Sequence, residues 1–232
     1  MAIIIYNQPL KDDLFLMKIK GEFKGKMGQF YMVKIRGLDP LLPRPISIYD
    51  IDEEGISFLY RKIGRGTGEM SYLREDDLID LEGPYGNGFP EVEGKIALVG
   101  GGIGTAPFYL TYKYLTKKGC SCDLFCGFRK HNDAENLFKQ LDGNCKISVD
   151  GFITDLVNPE EYDFVFSCGP EIMMKVLDEK CKKTSTIHYV SMEKRMACGV
   201  GACLVCTCKT SKGNKRTCKD GPVFLAEEVF YE

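Results

Sequence analysis

Short apolar runs with strand character recur through the first 93 residues. They cover residues 15–19, 29–35, 46–51, 56–60 and 78–84. Gly and Pro interrupt these runs at short intervals, which is typical of a small barrel or sandwich. We therefore predict a small antiparallel β-barrel over residues 1–93.

From residue 94 onward the pattern changes to alternating strands and helices. Strands are predicted at 95–99, 122–128, 146–149 and 164–168, and helices at 107–117, 134–141 and 171–182. This alternation indicates a parallel sheet covered on both faces. We predict a Rossmann-like parallel α/β domain over residues 94–190 and a cysteine-rich subdomain over 191–232. The fold class is thus multidomain α+β.

Charge and apolar runs exclude two classes of protein. The net charge of the 232 residues is -2, so no basic field is available to bind nucleic acid. The start of the chain has no signal-peptide pattern. The longest uncharged stretch, residues 96–112, contains several glycines and a proline, so we expect no membrane span.

Cysteine usage points to one local site. Five of the 11 cysteines fall in the last 35 residues, whereas a secreted disulfide scaffold would be short and evenly rich in cysteine. This distribution predicts a cytoplasmic protein with a single thiolate centre.

Four of these cysteines follow the spacing C-x4-C-x2-C-x11-C: Cys198, Cys203, Cys206 and Cys218. The first three match the plant-type run that binds a [2Fe–2S] cluster. Small residues between them let backbone N–H groups approach the sulfurs, and residues 211–214 offer a turn that returns the chain to Cys218. A structural zinc site usually has two short C-x2-4-C knuckles, and here Cys203-x2-Cys206 has no second C-x2-C partner. Cys208 is predicted to be a free thiol facing away on a strand.

Two segments of the first region are candidates for binding FAD. Pro45 biases Arg44 towards an extended conformation, from which the guanidinium can pair with a pyrophosphate. Ser47 can hydrogen-bond to a ring edge. Taken alone, the motif favours a plain turn before a strand. The motif is Arg44, Pro45, Ile46 and Ser47.

The second segment combines an aromatic residue with a glycine loop. Tyr60 offers a flat face for a ring, and Gly66 and Thr67 supply N–H groups and a hydroxyl that suit a phosphate. The alternative is a glycine loop that merely connects two strands. The candidate residues are Leu59, Tyr60, Arg61, Gly66 and Thr67.

Nicotinamide binding is predicted where two strands end. A glycine turn before a helix lets a dinucleotide approach the backbone, although a tight βα turn needs the same residues. Cys168 could lie beside the nicotinamide ring or be a buried strand-end thiol. His131 and His188 are predicted to be surface or core residues. The candidates are Gly101, Gly102, Gly104, Cys168, Gly169 and Pro170.

The order of these motifs resembles that of the ferredoxin–NADP reductase superfamily. More closely, the chain resembles the electron-transfer subunits of class B dihydroorotate dehydrogenase. The residues that carry this resemblance lie at 44–47, 83–89, 168–170, 191–203 and 218–224. General ferredoxin reductases usually have Tyr two positions after the flavin-site Arg, where this chain has Ile46.

The resemblance implies three cofactors and a partner. FAD would bind at 44–47, 59–61 and 66–67, and the four cysteines would hold the cluster. The partner would be an FMN-containing TIM-barrel subunit that oxidises dihydroorotate, assembled as a heterotetramer of two subunits of each kind. Electrons would pass from FMN through [2Fe–2S] and FAD to NAD+, in pyrimidine biosynthesis.

Two alternatives remain open from the residues alone. The first is a flavin/iron–sulfur NAD(P)H reductase that serves another partner. The second is a non-enzymatic zinc or iron–sulfur binding module. Arg129 and Lys130 could meet a 2′-phosphate or be solvated, so the choice between NAD and NADP is open.

Overall fold

The first sheet is antiparallel and has seven strands. The computed structural model describes residues 1–35, 41–141 and 144–231. The strands are β1 (Ala2–Pro9), β2 (Leu14–Lys20), β3 (Phe30–Ile35), β4 (Arg44–Ser47), β5 (Asp50–Ile51), β6 (Gly55–Arg61) and β7 (Leu78–Tyr85), and α1 (Arg65–Met70) lies between the last two. Their order across the sheet is β4-β3-β7-β1-β2-β6-β5.

The two edges of this sheet approach each other. The N–H of Ile48 donates to the carbonyl of Gln29 (3.0 Å), and the N–H of Tyr49 donates to the carbonyl of Ser57 (2.9 Å). The segment between β4 and β5 therefore joins opposite sides of the sheet, which confirms the predicted antiparallel barrel. Its interior is filled by buried apolar side chains, among them Ile4, Met17, Ile19, Tyr31, Ile48, Ile56 and Phe58.

The second sheet is a parallel one flanked by helices. Its strands are β8 (Lys95–Gly101), β9 (Ser121–Phe128), β10 (Asn144–Val149), β11 (Phe164–Cys168) and β12 (Ile187–Ser191), and its helices are α2 (Pro107–Lys117), α3 (Ala134–Lys139) and α4 (Glu171–Cys181). The order is β10-β9-β8-β11-β12. The chain leaves β8 towards one side and β11 towards the other. The carboxyl ends of these two strands therefore form a crevice of the kind that binds dinucleotides.

Helices cover both faces of the parallel sheet, as predicted. Phe108 and Leu115 of α2 pack on one face, and Leu177 and Cys181 of α4 pack on the other. Because both faces are buried, β8 is apolar from Ile96 onward and shows no alternation.

The C-terminal residues form a hairpin and a final strand. Strands β13 (Thr207–Thr210) and β14 (Gly213–Arg216) pair around the turn predicted at 211–214. Strand β15 (Val223–Leu225) pairs antiparallel with β12, and α5 (Ala226–Val229) follows it. The predicted cysteine-rich region thus supplies an edge strand to the second sheet. The boundaries 1–93, 94–190 and 191–232 stay predictions.

The barrel and the parallel sheet pack directly against each other. The rings of Tyr49 and Tyr109 stack with centroids 4.3 Å apart. Lys113 of α2 pairs with Asp50 of β5 at 2.7 Å. In the described part of the chain, no helix is long and apolar enough to cross a membrane.

Two local predictions differ from the structure. The strand predicted at 46–51 is interrupted, because Ile48 and Tyr49 bond to opposite sides of the barrel. The glycine loop predicted at 64–68 is instead the start of α1. The Oγ1 of Thr67 accepts hydrogen bonds from the N–H groups of Ile63 (2.9 Å) and Gly64 (3.3 Å), which stabilises the start of a helix that Gly66 and Gly68 would disfavour.

Candidate functional site

An open cleft lies between the barrel, the crevice of the parallel sheet and the segment at 191–196. Its volume is about 240 Å³. Ile103 and Ala106 border it from the glycine turn, and Glu193 and Met196 border it from the cysteine-rich region. The structure brings most of the predicted FAD residues together here: Arg44, Pro45, Ile46, Ser47, Leu59, Tyr60, Arg61 and Thr67.

Arg44 and Gly66 form one wall of the cleft as a unit. A Cβ on Gly66 would lie 2.5 Å from the Arg44 Nη2 and closer still to Nε. The guanidinium therefore rests directly on the backbone of α1, and only glycine leaves room for it. Its Nη1 donates to the carbonyls of Leu42 (2.5 Å) and Pro43 (3.3 Å). This cradle fits a planar cation held ready for a phosphate group.

Arg61 has hydrogen-bonding capacity to spare at the same cleft. Its Nη2 pairs with Asp12 at 3.0 Å, whereas its buried Nε has no hydrogen-bond partner among the described residues. A buried unpaired donor is costly unless a ligand or water satisfies it. The observation therefore fits an oxygen-rich ligand such as FAD.

Tyr60 and Thr67 are more constrained than the sequence suggests. The Tyr60 ring is 2% exposed and stacks on Phe15 with centroids 5.4 Å apart. Its hydroxyl donates to Asn7 Oδ1 at 3.0 Å. The Thr67 hydroxyl is engaged at the start of α1. Their FAD contacts stay predictions, with one face of the Tyr60 ring already covered.

The predicted nicotinamide residues meet at the crevice between β8 and β11. A Cβ on Gly104 would lie 2.5 Å from the Cys168 carbonyl oxygen, and one on Gly169 would lie 2.8 Å from the Gly101 carbonyl oxygen. Gly169 also has a φ of +142°, which L side chains rarely adopt. The glycines thus allow the two strand ends to pack backbone against backbone. Gly102 differs, because its Cβ position is open.

Cys168 lies at this junction and is almost fully buried. It is 2% exposed, and burial raises the pKa of its thiol. The residue is therefore a neutral thiol beneath the turn formed with Gly169 and Pro170. Its proximity to a nicotinamide ring stays a prediction.

The four predicted cluster ligands form two pairs. The N–H of Cys203 points to the Cys198 sulfur at 3.5 Å, and the N–H of Cys218 points to the Cys206 sulfur at 3.4 Å. Within the described residues, no three His, Cys, Asp or Glu side chains converge on a single-ion site. Two pairs of thiols suit a two-iron cluster better than one zinc ion, which needs four ligands around one point.

The electrostatics of the two pairs differ. Hydrogen bonds from Cys203, with further backbone N–H groups of the loop, lower the pKa of Cys198 to about 6. Burial and the neighbouring Cys206 raise the pKa of Cys218 to about 12. Cys198 is therefore ready to bind iron as a thiolate, whereas Cys218 needs the charge of the metal to lose its proton. The chemistry of the donor set fits an iron–sulfur cluster.

The cysteine loop and the cleft share a wall. Cys206 and Cys218 pack with Phe30 of β3, and Met196 lies against the same group. Both Phe30 and Met196 also line the cleft. A cofactor in the cleft and a cluster in the loop would therefore be separated by these side chains.

Sequence reasoning missed Glu193 as a residue of the cleft. Its side chain is exposed at the cleft, and desolvation by the protein atoms around it raises the pKa of its carboxyl group. The only signal was its place in the segment 191–203, one of those that carry the family resemblance. Cys208 lies on β13 and packs with Met174 and Val190, apart from the four ligand candidates.

Comparisons with known proteins agree with this arrangement. The family described as the iron–sulfur cluster binding domain of dihydroorotate dehydrogenase B matches residues 193–230. A relative from Clostridium acetobutylicum, named dihydroorotate dehydrogenase B (NAD(+)), electron transfer subunit, is 45% identical over 232 residues, covering 96% of this chain and 94% of the relative. The protein of the same name from Clostridium perfringens is 44% identical over 234 residues, with the same coverage.

Solved structures show the same fold. A chain from a study of flavin-based electron bifurcation in the NADH-dependent reduced ferredoxin-NADP oxidoreductase has a TM-score of 0.89 and 28% identity, covering 99% of this chain and 89% of that one. A ferredoxin NADP+ reductase from Neisseria gonorrhoeae, solved with FAD and NADP, has a TM-score of 0.61 at 14% identity, covering 84% of this chain and 93% of that one. The second likeness concerns the fold alone.

The barrel, the crevice and the cysteine loop define an electron-transfer reductase of the ferredoxin–NADP reductase class with an added iron–sulfur segment. The extent and identity of the sequence matches are more specific. The chain belongs to the family of dihydroorotate dehydrogenase B electron transfer subunits.

Proposed function

We propose that this chain is the NAD-linked flavin/iron–sulfur subunit that carries electrons from a dihydroorotate-oxidising catalytic subunit to NAD+, in pyrimidine biosynthesis. Its cofactors are FAD, one [2Fe–2S] cluster and NAD. FAD supplies the ability to exchange single electrons with iron and a hydride with nicotinamide. The wall shared by the cysteine loop and the cleft carries the proposal, since electron transfer requires the two sites to be close.

The residues of this chain have separate tasks in that function. Arg44 on its glycine cradle and Arg61 with its free Nε would bind the FAD phosphates. Ser47 would hydrogen-bond to a flavin ring edge. Glu193 places a carboxyl group in the cleft, and desolvation there raises its pKa.

The crevice and the cysteine loop complete the site. The turns at Gly101–Gly104 and Cys168–Pro170 would accept the nicotinamide dinucleotide. Cys198 and Cys203 would hold one iron, and Cys206 and Cys218 the other, following the observed pairs. These assignments rest on the packing and the hydrogen bonds described above.

The tip of the cysteine loop would dock the catalytic subunit. Val200, Leu204 and Val205 are 52%, 61% and 55% exposed beside the exposed Cys203. Exposed apolar side chains next to a redox centre are typical of a protein-binding surface. The partner would contain FMN, and the complex would hold two subunits of each kind. We place it in the cytoplasm because its many cysteines are unpaired.

Dihydroorotate-dependent NAD+ reduction by the catalytic subunit of the same organism tests the function. We expect activity only when this chain is added with both cofactors loaded. A Leu204→Asp variant should weaken coupling while leaving NADH-dependent dye reduction intact. Absence of coupling between fully loaded subunits would contradict the proposed partner.

A second candidate is a reductase subunit for another electron-transfer complex. The 28% identical neighbour from the NADH-dependent reduced ferredoxin-NADP oxidoreductase aligns with 99% of this chain. A chain of the same architecture is therefore part of a different oxidoreductase. Co-purification of the chain from its own organism distinguishes the two. A dihydroorotate-oxidising subunit supports the first function, and a different flavoprotein supports the second.

A further inference from the structure

A buried chain of polar side chains connects β11, β12 and α4. Ser167 Oγ lies 2.8 Å from His188 Nε2, and His188 Nδ1 lies 3.6 Å from Asp178 Oδ1. Lys182 continues the chain, 2.7 Å from the Asp178 Oδ2, and its Nζ donates to the carbonyl of Phe230 at 2.9 Å. The network thus extends from the centre of the parallel sheet to the end of α5.

The order Ser, His, Asp resembles the nucleophile arrangement of hydrolases, but the surroundings exclude that chemistry. Ser167 is 0% exposed, His188 5% and Asp178 3%. A nucleophile must reach its substrate, and the Ser167 hydroxyl lies beneath α4 in the packed interior. The network therefore has a structural role and does not react with a substrate.

Its protonation state follows from burial and charge. Desolvation lowers the pKa of His188, with Asp178 opposing and Lys182 reinforcing that effect. A neutral imidazole with its proton on Nδ1 faces the carboxylate, so Nε2 accepts a hydrogen bond from the Ser167 hydroxyl. This arrangement gives the Ser167 side chain one preferred orientation.

The network holds both ends of the proposed nicotinamide turn. Ser167 immediately precedes Cys168, at the end of β11, and Asp178 lies on α4, which begins directly after Pro170. Strand and helix are thus connected through His188 on the neighbouring strand, by a hydrogen bond to Ser167 and by an electrostatic contact of 3.6 Å with Asp178. The buried Nδ1 of His188 makes no hydrogen bond to the described residues, so the carboxylate of Asp178 is the group that faces it. The turn between them contains Gly169, whose backbone packs so closely on that of Gly101 that even a Cβ atom would not fit between them.

We infer that Ser167, His188 and Asp178 are positioning residues for the nicotinamide dinucleotide: they fix the strand and helix that flank the Cys168–Pro170 turn, and so set the affinity of the crevice for NAD. This inference rests on the proposed function of the crevice. None of the three residues needs to touch the ligand.

Ser167→Ala tests the inference with the smallest change, since it removes one oxygen from a fully buried site. In the protein loaded with FAD and cluster, we expect the Kd for NAD+ by calorimetry to rise roughly fivefold or more. The KM for NADH in dye reduction should rise while kcat changes little. Asp178→Asn should also weaken NAD+ binding. His188→Gln keeps a hydrogen-bond acceptor for Ser167, so it should weaken NAD+ binding less than Ser167→Ala does.

Tyr162→Phe is the matched control. It deletes another buried hydrogen bond of the same domain, from the Tyr162 hydroxyl to Asp123 Oδ2 at 2.7 Å, away from the turn. Thermal melting should show comparable destabilisation of both variants, with NAD+ affinity altered only by Ser167→Ala.

Equal NAD+ affinity in Ser167→Ala and the control would overturn the positioning role while leaving the proposed function intact. If the loaded wild-type protein itself fails to bind NAD+, the proposed function and this inference both fall. The two failures are therefore distinguishable.

Discussion

Replacing Gly66 with alanine would place a methyl group against the Arg44 guanidinium. The new Cβ would lie 2.5 Å from Nη2 and nearer to Nε. The backbone of α1 is held by its own hydrogen bonds, so the side chain of Arg44 has to move, by roughly 1 Å or more, to regain ordinary contact distance. The substitution therefore displaces Arg44, the residue proposed to bind an FAD phosphate, and leaves the other residues of the cleft in place.

The size of the effect follows from the interaction that is lost. A hydrogen bond between a guanidinium and a phosphate contributes about 1.5–3 kcal/mol. Its loss corresponds to FAD binding that is weaker by a factor of about 10 to 100. Gly68→Ala is the matched control, because no atom lies within 4 Å of its Cβ position. That variant should stabilise α1 by about 0.5–1 kcal/mol, since alanine favours a helix.

Titration of the two apoproteins with FAD, followed by flavin fluorescence, measures this difference. We expect Gly66→Ala to bind FAD at least tenfold more weakly than wild type, and Gly68→Ala to bind it as wild type does. Equal FAD affinity in all three proteins would refute the role given to Arg44. Equal loss in both variants would instead show that any side chain on α1 disturbs the cleft.

Three further predictions address the cluster, the crevice and the buried network. Cys203→Ser should remove the visible absorbance of the cluster and partner reduction but keep NADH-dependent dye reduction; loss of flavin as well would contradict separate sites. Gly104→Ala should destabilise the protein by about 1–3 kcal/mol in urea unfolding, because its Cβ meets the Cys168 backbone; an unchanged midpoint would argue against that packing. Because the pKa of His188 is lowered from 6.5, its stabilising contribution is full above that pH and lost below it; thermal melting from about pH 7.5 to 5 should show this loss in wild type, and less of it in His188→Gln.

Regular elements were predictable where local signals and packing agree. Helix α2 begins at Pro107, a favoured first helical residue, and its predicted bounds are confirmed. The strands of the parallel sheet are continuous apolar runs, so β8, β9 and β11 were found within one or two residues. The cysteine spacing likewise predicted the cluster segment that the family match covers.

Elements that depend on distant partners were not predictable. Helix α1 contains Gly66 and Gly68, which oppose helix formation. The side-chain hydrogen bonds of Thr67 and the packing of Arg44 on Gly66 accompany the helix, and neither can be read from local sequence. Strand β15 has three residues and is defined by pairing with β12. The contact of Ser167 with His188 joins residues 21 positions apart on different strands, and no local pattern signals it.

The central claim is that the flavin cleft and the cluster form one electron pathway across the wall of Phe30 and Met196. Anaerobic addition of NADH to the loaded chain, with the cluster followed by electron paramagnetic resonance, tests it most directly. The account predicts that NADH both bleaches the flavin absorbance and produces the signal of the reduced [2Fe–2S] cluster. Flavin bleaching without that signal, in protein whose cluster can be reduced by dithionite, would contradict it.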